Sequence, residues 1–236
     1  MTARSFRGVI QIVRFNWHFY AAGVVAVTVG WFGVGPVALV AGAWLLGSLA
    51  VCHYIYDRSE LTRWAWLPVA PRKWANIHCG FDETSRPLRR LWPGTTGLVL
   101  DIFDRGTMTE ASLARARRIE TGAPPAIPAD FRALPVGDGE LDTVFLLFAA
   151  HELRAVAARA DLFAEVRRVL SPGGQAVLVE HLRDAANFLA FGPGCWHFLP
   201  RGEWLRLARG AQLAVEDEAW ITPFVRLFVL RRESEA

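Results

Sequence analysis

The sequence of 236 residues predicts a helical transmembrane hairpin followed by an α/β domain with a mostly parallel sheet. Three observations lead there. The run from Phe15 to Tyr56 holds no Asp, Glu, Lys or Arg, whereas the rest of the chain has ordinary charge density. From Trp74 onward, short β-prone runs alternate with segments of helical periodicity, the pattern of a parallel sheet covered by helices. The length leaves room for one such domain and a small addition.

The uncharged run comes first. As one straight helix it would be roughly 63 Å long, about twice the hydrocarbon thickness. A break is therefore expected, and Gly33–Val–Gly–Pro36 is the place, because proline removes a donor and glycine loosens the chain. Two spans of about 20 residues result. Arg4, Arg7 and Arg14 precede them; Arg58, Arg63, Arg72 and Lys73 follow; the connecting turn is uncharged. By the positive-inside tendency both termini and the following domain are expected on the cytoplasmic side of the inner membrane. Trp17, Tyr20, Trp31, Tyr54, Tyr56, Trp64 and Trp66 fall where an aromatic belt would lie, and His18 and His53 read as interfacial. A signal peptide would have a single short apolar core, and a soluble helical hairpin this apolar would need a large partner core. The expected organisation is a hairpin over residues 1–56, a juxtamembrane linker over 57–73 with a stretch suited to the membrane surface, and an α/β domain over 74–236.

Within that domain the elements follow in order. WANIHCG is a short apolar strand ending in glycine. ETSRPLRRLW has helical spacing, with Pro87 in the first turn. TGLVLDIF is strongly β-prone. MTEASLARARRIE is a helix with Thr109 as N-cap. AIPADFRALP offers a brief third strand. ELDTVFLLFAAHEL is a buried fourth strand, and ADLFAEVRRVL a helix that SPGG closes with a tight turn. QAVLVEHL is a fifth strand. The tail reads as a helix and a strand hairpin.

Composition removes several functions. A net charge of +3 without a dense basic run gives no nucleic-acid footprint. Cys52, Cys79 and Cys195 are too few and too far apart for a disulfide framework or a metal spacing, which fits a reducing compartment. HELRA lacks the second histidine of a zinc helix motif, so no metal is expected.

The order of motifs resembles a class I S-adenosylmethionine (SAM) methyltransferase, particularly the ubiquinone/menaquinone C-methyltransferase-like group. The residues that carry the resemblance are ADFRALPVGDGELDTVFLLFAAHEL and LFAEVRRVLSPGGQAVLVE, and it extends over about residues 74–230. It implies a Rossmann-like fold and SAM as cofactor. It also implies that Asp101, ending the second strand, holds the ribose hydroxyls, a task suited to a carboxylate facing a vicinal diol. Ile102 then lies beside the adenine, Asp130 accepts its amino group and Phe131 packs on the ring. The family's glycine-rich loop falls on NIHCGFD. Asn76 takes the acidic position, and His78, Gly80 and Asp82 take the three glycines. The spacing from Gly80 to Asp101 is that of such a turn and its ribose carboxylate, so the frame fits and the composition departs. An imidazole stands where the methionine portion passes, and Asn76 lacks the charge that strengthens a bond to an ammonium group.

Residues after the fourth and fifth strands face the transferred methyl group: His151, suited by its ordinary pKa to accept a proton, with Glu152 orienting it, and His181. Arg183 and the apolar stretch NFLAFGPGCWHFLP, with Phe188, Phe191 and Trp196, are expected to hold the acceptor and form a lid toward the bilayer. The expected function is a membrane-anchored SAM-dependent methyltransferase whose partners are the lipid bilayer and a hydrophobic acceptor such as a prenylated quinone or alkylated phenol. The loop's departures keep two alternatives open. One is a non-catalytic membrane-bound protein that keeps the fold for assembly or binding. The other is an enzyme using this fold for chemistry other than methyl transfer.

Overall fold

The computed structural model describes residues 6–67, 70–119 and 124–233. Arg4, Pro68 in the expected linker, and Glu120 lie outside them. The chain forms two compact units: Met1–Leu67 with Ala185–Cys195, and Pro68–Asp184 with Trp196–Ala236.

The apolar unit opens with α1 (Arg7–Phe15) and α2 (Trp17–His53). Helical structure continues through Pro36, where a break was expected. The run nevertheless turns back on itself. Gly23 faces the Leu45 side chain, Gly42 faces Val27 and Gly30 faces Ala38, each at 3.5–3.7 Å from where a Cβ would stand. Residues 23 and 45 would be roughly 33 Å apart in a straight helix. Small residues at these positions let the two arms approach closely. Val24, Val25, Val29, Val37, Leu39, Val40 and Leu46 point outward and are exposed.

Gly35–Arg63 has the length and apolarity to cross a bilayer. The expected first span does not stand alone. Arg7–Phe15 and Trp17–Trp31 meet at an 82° bend and qualify only as a pair. Asp57 holds α1 from the far end of the hairpin. Its Oδ1 accepts from Gly8 N at 2.7 Å and its Oδ2 from Val9 N at 3.1 Å, a carboxylate at the positive end of a helix. His53 Nδ1 meets the same carboxylate at 3.0 Å, so this histidine is engaged inside the unit.

The second unit is a seven-stranded sheet. Its elements are β1 (Lys73–His78), α3 (Ser85–Leu91), β2 (Thr96–Asp101), α4 (Ala111–Ala116), β3 (Ile127–Pro128), β4 (Leu141–Leu147), α5 (Val156–Val169), β5 (Leu170–His181), α6 (Ala185–Phe191), α7 (Arg201–Gly210), β6 (Leu213–Thr222) and β7 (Val225–Arg232), of which α6 belongs to the apolar unit. The strand order is β3-β2-β1-β4-β5-β7-β6. β1 through β5 pair in parallel, and β7 runs antiparallel to both β5 and β6. β1 and β4 are buried along nearly their whole length because both faces of a central parallel strand are covered. The strand order reverses between β1 and β4, and there the carboxyl ends of the strands open a crevice.

Three local expectations change. α4 is shorter than its periodicity suggested, and Glu110, not Thr109, precedes it without a side-chain cap. Ser171–Gly174 does not close α5 as a turn. It lies inside β5 as a bulge, with Leu170 opposite Leu141 and Gln175 opposite Thr143. The apolar stretch after β5 is not a loop: it folds into α6 and a 3-10 turn over Gly192–His197. Trp44 Nε1 donates to Leu189 O at 2.7 Å, which seats α6 on α2 within the apolar unit.

The sheet is tight where β1 meets β2. Trp74 is fully buried and its indole donates to Thr95 Oγ1 at 2.8 Å. Its ring lies over Gly97, where an added Cβ would stand 2.2 Å from Cζ2. Gly97→Ala should destabilise the domain by about 1–3 kcal/mol, the cost of overpacking a filled core. A lowered urea midpoint in detergent checks this; an unchanged midpoint contradicts it.

Candidate active site

Four strand ends meet at the crevice. His78 ends β1 opposite Asp101 at the end of β2, and β4 and β5 end beside them.

The cofactor side begins at the altered glycine loop. Asn76 is buried, and its Nδ2 reaches Thr84 Oγ1 at 2.7 Å and Ser85 Oγ at 2.8 Å. Asp82 Oδ1 accepts from Thr84 N and Ser85 N, both at 2.9 Å. These two residues therefore brace the entry to α3. Asp82 thus takes the first backbone donors of α3, and His78 takes that of Gly80. His78 Nδ1 accepts from Gly80 N at 3.0 Å, which leaves the proton on Nε2. Burial lowers its pKa, opposed by Asp82 and Asp101, so the ring is neutral. Nε2 is buried and has no hydrogen-bond partner among the described residues. Gly80 has φ 147°, a conformation that glycine alone takes readily.

Arg117, at the C-terminal end of α4, crosses this loop. It donates to Cys79 O at 2.7 Å and Asp101 Oδ1 at 3.0 Å, and its second nitrogen lies 2.9 Å from Asp101 Oδ2. Its guanidinium stacks 4.0 Å from the Phe103 ring. The stem passes so close to Gly80 that a Cβ there would be 2.2 Å from Arg117 Cγ. Beyond Asp101 opens a cleft of about 560 Å³ lined by Ile102, Phe103, Asp130, Phe131 and Arg132 among others. Phe131 and Ile102 are buried in its floor. Asp130 is half exposed at its rim and accepts from Arg132 N at 2.9 Å.

The acceptor side forms where β4 and β5 end. Phe148 has φ 54°, a strained value for a residue with a side chain. It turns the chain into the 3-10 segment Ala150–Glu152. His151 Nδ1 then lies 2.7 Å from Glu180 Oε2, and His151 Nε2 lies 3.4 Å from Glu152 Oε1. Burial disfavours charge on His151, but Glu180 and Glu152 outweigh it and raise the pKa well above the histidine range. At neutral pH His151 is therefore a donor, not the proton acceptor its ordinary pKa implied. His197 packs edge-on at 5.1 Å between ring centroids. Burial, aided by charged His151, lowers its pKa, so His197 is neutral. Arg154 holds it in place by donating to His197 O at 2.8 Å.

Two expected residues are spent elsewhere. His181 is buried, with Nδ1 2.8 Å from Phe224 O and its ring stacked on Phe198. Arg183 donates to Phe198 O and Trp196 O, both at 2.9 Å, and so fixes the backbone that follows the 3-10 turn. Phe188 and Trp196 are exposed. Phe191, closing α6, is half-buried. Phe188 and Phe191 belong to the apolar unit and Trp196 to the sheet unit. Sequence reading missed Arg117, Glu180, His197 and Arg154. Glu180 ends the quoted VLVE run, and an acidic residue after four apolar strand positions was its only signal.

This strand order, with a last strand antiparallel in an otherwise parallel sheet and an acidic residue ending β2, is the fold of class I methyltransferases, whose cofactor is S-adenosylmethionine. The sequence agrees over residues 77–178, which match the family model described as a methyltransferase domain. No curated protein matches the chain in sequence. Solved structures share the fold. A SAM-dependent methyltransferase from Methanosarcina mazei is 15% identical, covers 72% of this chain and 96% of its own, and superposes with a TM-score of 0.51. One from Aquifex aeolicus is 12% identical over 68% of this chain and 82% of its own, at 0.53. Human N-acetylserotonin methyltransferase, solved in complex with SAM, is 16% identical over 70% of this chain and 48% of its own, at 0.51.

The residues expected at the cofactor's adenine end, Ile102, Asp130 and Phe131, line one cleft and fit that group. At the expected ribose end Asp101 already has a cation on it. Arg117 reaches there on a flexible stem from the surface helix, and its side chain has to turn away before a diol can meet the carboxylate. Arg117→Ala should then bind S-adenosylhomocysteine about tenfold more tightly, a gain of 1.4 kcal/mol from removing a competing charged contact. Calorimetry on the full chain in detergent measures this. Weaker binding by the variant would make Arg117 a cofactor ligand instead.

Proposed function

We propose that the protein is a membrane-anchored SAM-dependent methyltransferase acting on an amphiphilic acceptor of the prenylated quinone or alkylated phenol type. Asp101, Asp130, Phe131 and Ile102 hold the nucleoside. The unpartnered Nε2–H of His78 offers a donor to the methionine carboxylate. His151, Glu152 and His197 surround the acceptor position. The enzyme's main contribution is alignment of acceptor, methyl and sulfur. A protonated His151 stabilises negative charge on an acceptor oxygen, and neutral His197 takes up a proton.

One observation carries the lipid-like acceptor. The chain leaves β5 at His181, enters the apolar unit as α6, and returns at Trp196 to deliver His197 to the site. Within that unit Trp44 donates to Leu189 O, and its ring lies where a Cβ on Gly192 would stand, at 2.1 Å. The segment that bears an acceptor-side residue is thus also built into the bilayer anchor. Anchoring confines the search for acceptor to a surface. The basic residues that flank the hairpin support a cytoplasmic domain and cytoplasmic termini.

Transfer of a labelled methyl group from SAM into a lipid extract tests the reading, and chromatography of the product identifies the acceptor. Phe188 is the residue to perturb, being exposed on α6 at 48%. Phe188→Asp should raise KM for a long-chain phenol about tenfold, the cost of removing one apolar contact surface of 1–2 kcal/mol. Turnover of a short-chain analogue and affinity for S-adenosylhomocysteine should stay unchanged. Equal loss on both acceptors would sink the lid role of α6. A second reading, a binding protein that retains the fold, is favoured by Arg117 standing on Asp101. Failure of both the wild type and Arg117→Ala to bind SAM or S-adenosylhomocysteine would select it.

A further inference from the structure

The acceptor-side cluster has the composition of a metal centre. His151, Glu152 and His197 each present one ligand atom, and the three atoms lie within 4.8 Å of one another. His151 Nε2 and Glu152 Oε1 are 3.4 Å apart. Two ligands about 2.0–2.2 Å from one zinc ion at a tetrahedral angle stand at roughly that separation. The third needs only a small approach of the His197 ring.

Three further features point the same way. His151 Nδ1 meets Glu180 Oε2 at 2.7 Å, and Glu180 Oε1 accepts from His151 N at 3.3 Å. A carboxylate behind an imidazole fixes which nitrogen faces the metal and makes that nitrogen a better ligand. Glu180 is almost wholly buried, so its charge is directed at His151. Finally, Glu152 Oε2 is buried with no hydrogen-bond partner among the described residues. A buried carboxylate oxygen left without a donor is costly unless a cation meets it.

We propose that this cluster binds one divalent transition-metal ion through His151, Glu152 and His197, with Glu180 orienting His151. The ion takes the place of the proton that His151 Nε2 carries in the metal-free site, and that proton is released to solvent. Two imidazoles and one carboxylate suit zinc, iron(II) or manganese(II), and a three-residue set leaves a coordination position for water or an anionic oxygen. Arg154, 3.4 Å from His197 Nδ1, is the one nearby cation among the described contacts, and Glu110 lies 3.9 Å from the same nitrogen. The two buried carboxylates offset Arg154. Metal binding stands independently of the methyltransferase reading. That the open position takes the acceptor's phenolate or enolate oxygen rests on it.

The set was invisible to local motif reading because its second imidazole is 46 positions downstream of His151, across α5, β5 and α6.

The test uses the full chain in detergent, stripped with chelator and then titrated with zinc or cobalt(II). One equivalent should bind, and cobalt(II) should give visible bands of a four- or five-coordinate site with nitrogen ligands. His197→Ala, at a partly exposed position that leaves the sheet core alone, should abolish the bands. Glu180→Gln should weaken affinity about 10–100-fold while keeping the same bands, the effect of removing an orienting partner. No stoichiometric binding by the wild type overturns the proposal. So does binding that His197→Ala and Glu152→Gln leave unchanged. Bands and stoichiometry are read without any methyl transfer, so an inactive preparation that binds metal would count against the acceptor reading alone.

Discussion

The hydrogen bond between His151 and Glu180, 2.7 Å long, is the contact on which the site depends. It ties the turn after β4 to the end of β5, two strands that are neighbours only because the sheet is parallel and both run toward the same edge. A parallel sheet sends every strand's carboxyl end to one side, so residues distant in sequence gather there without any local motif. Burying an imidazole against a carboxylate is expensive unless both are paired. The strained Phe148 backbone, Glu180 at one ring nitrogen and Glu152 at the other form one arrangement. His197, which follows α6 in the chain, joins it edge-on to the His151 ring.

The architecture was legible because it is written in periods. The strand–helix alternation from Trp74 gave the parallel sheet, and the uncharged run gave the hairpin. What was not legible has physical reasons. Pro36 does not interrupt the helical run. The first arm passes as a span only together with α1, because the chain bends by 82° between them. Ser171–Gly174 reads as a turn in isolation, but pairing with β4 on one side and β7 on the other turns it into a bulge. In the site, Asp101, His151 and Glu152 were visible as chemistry at strand ends. Arg117, Glu180 and His197 were not, because nothing nearby in sequence marks a residue whose partner is tens of positions away.

The altered loop shows how a glycine-poor turn can hold the same frame. Family-type glycines leave backbone donors free for a ligand. Here Asp82 satisfies the donors at the start of α3, and Asn76 bonds to the hydroxyls beside them. Chain direction is preserved and an anion-binding surface is lost. Arg117 then covers the exposed Asp101, supported by Phe103 and the bare Cα of Gly80. The loop is braced by its own side chains, yet Asn76 Oδ1, His78 Nε2 and Asp82 Oδ2 are buried without a partner among the described residues. Cofactor entry here exchanges one set of polar contacts for another.

The bond between Trp44 and Leu189 joins residues 145 positions apart. Synthesis proceeds at roughly 5–20 residues per second, so the two are made about 7–30 seconds apart. During that interval the hairpin exists and α6 does not. Throughout it the indole N–H of Trp44 lacks its native acceptor, and His197, which follows α6, has yet to be made. The helices of the apolar unit therefore precede α6, and the site, which needs His197, closes only after α6 is made.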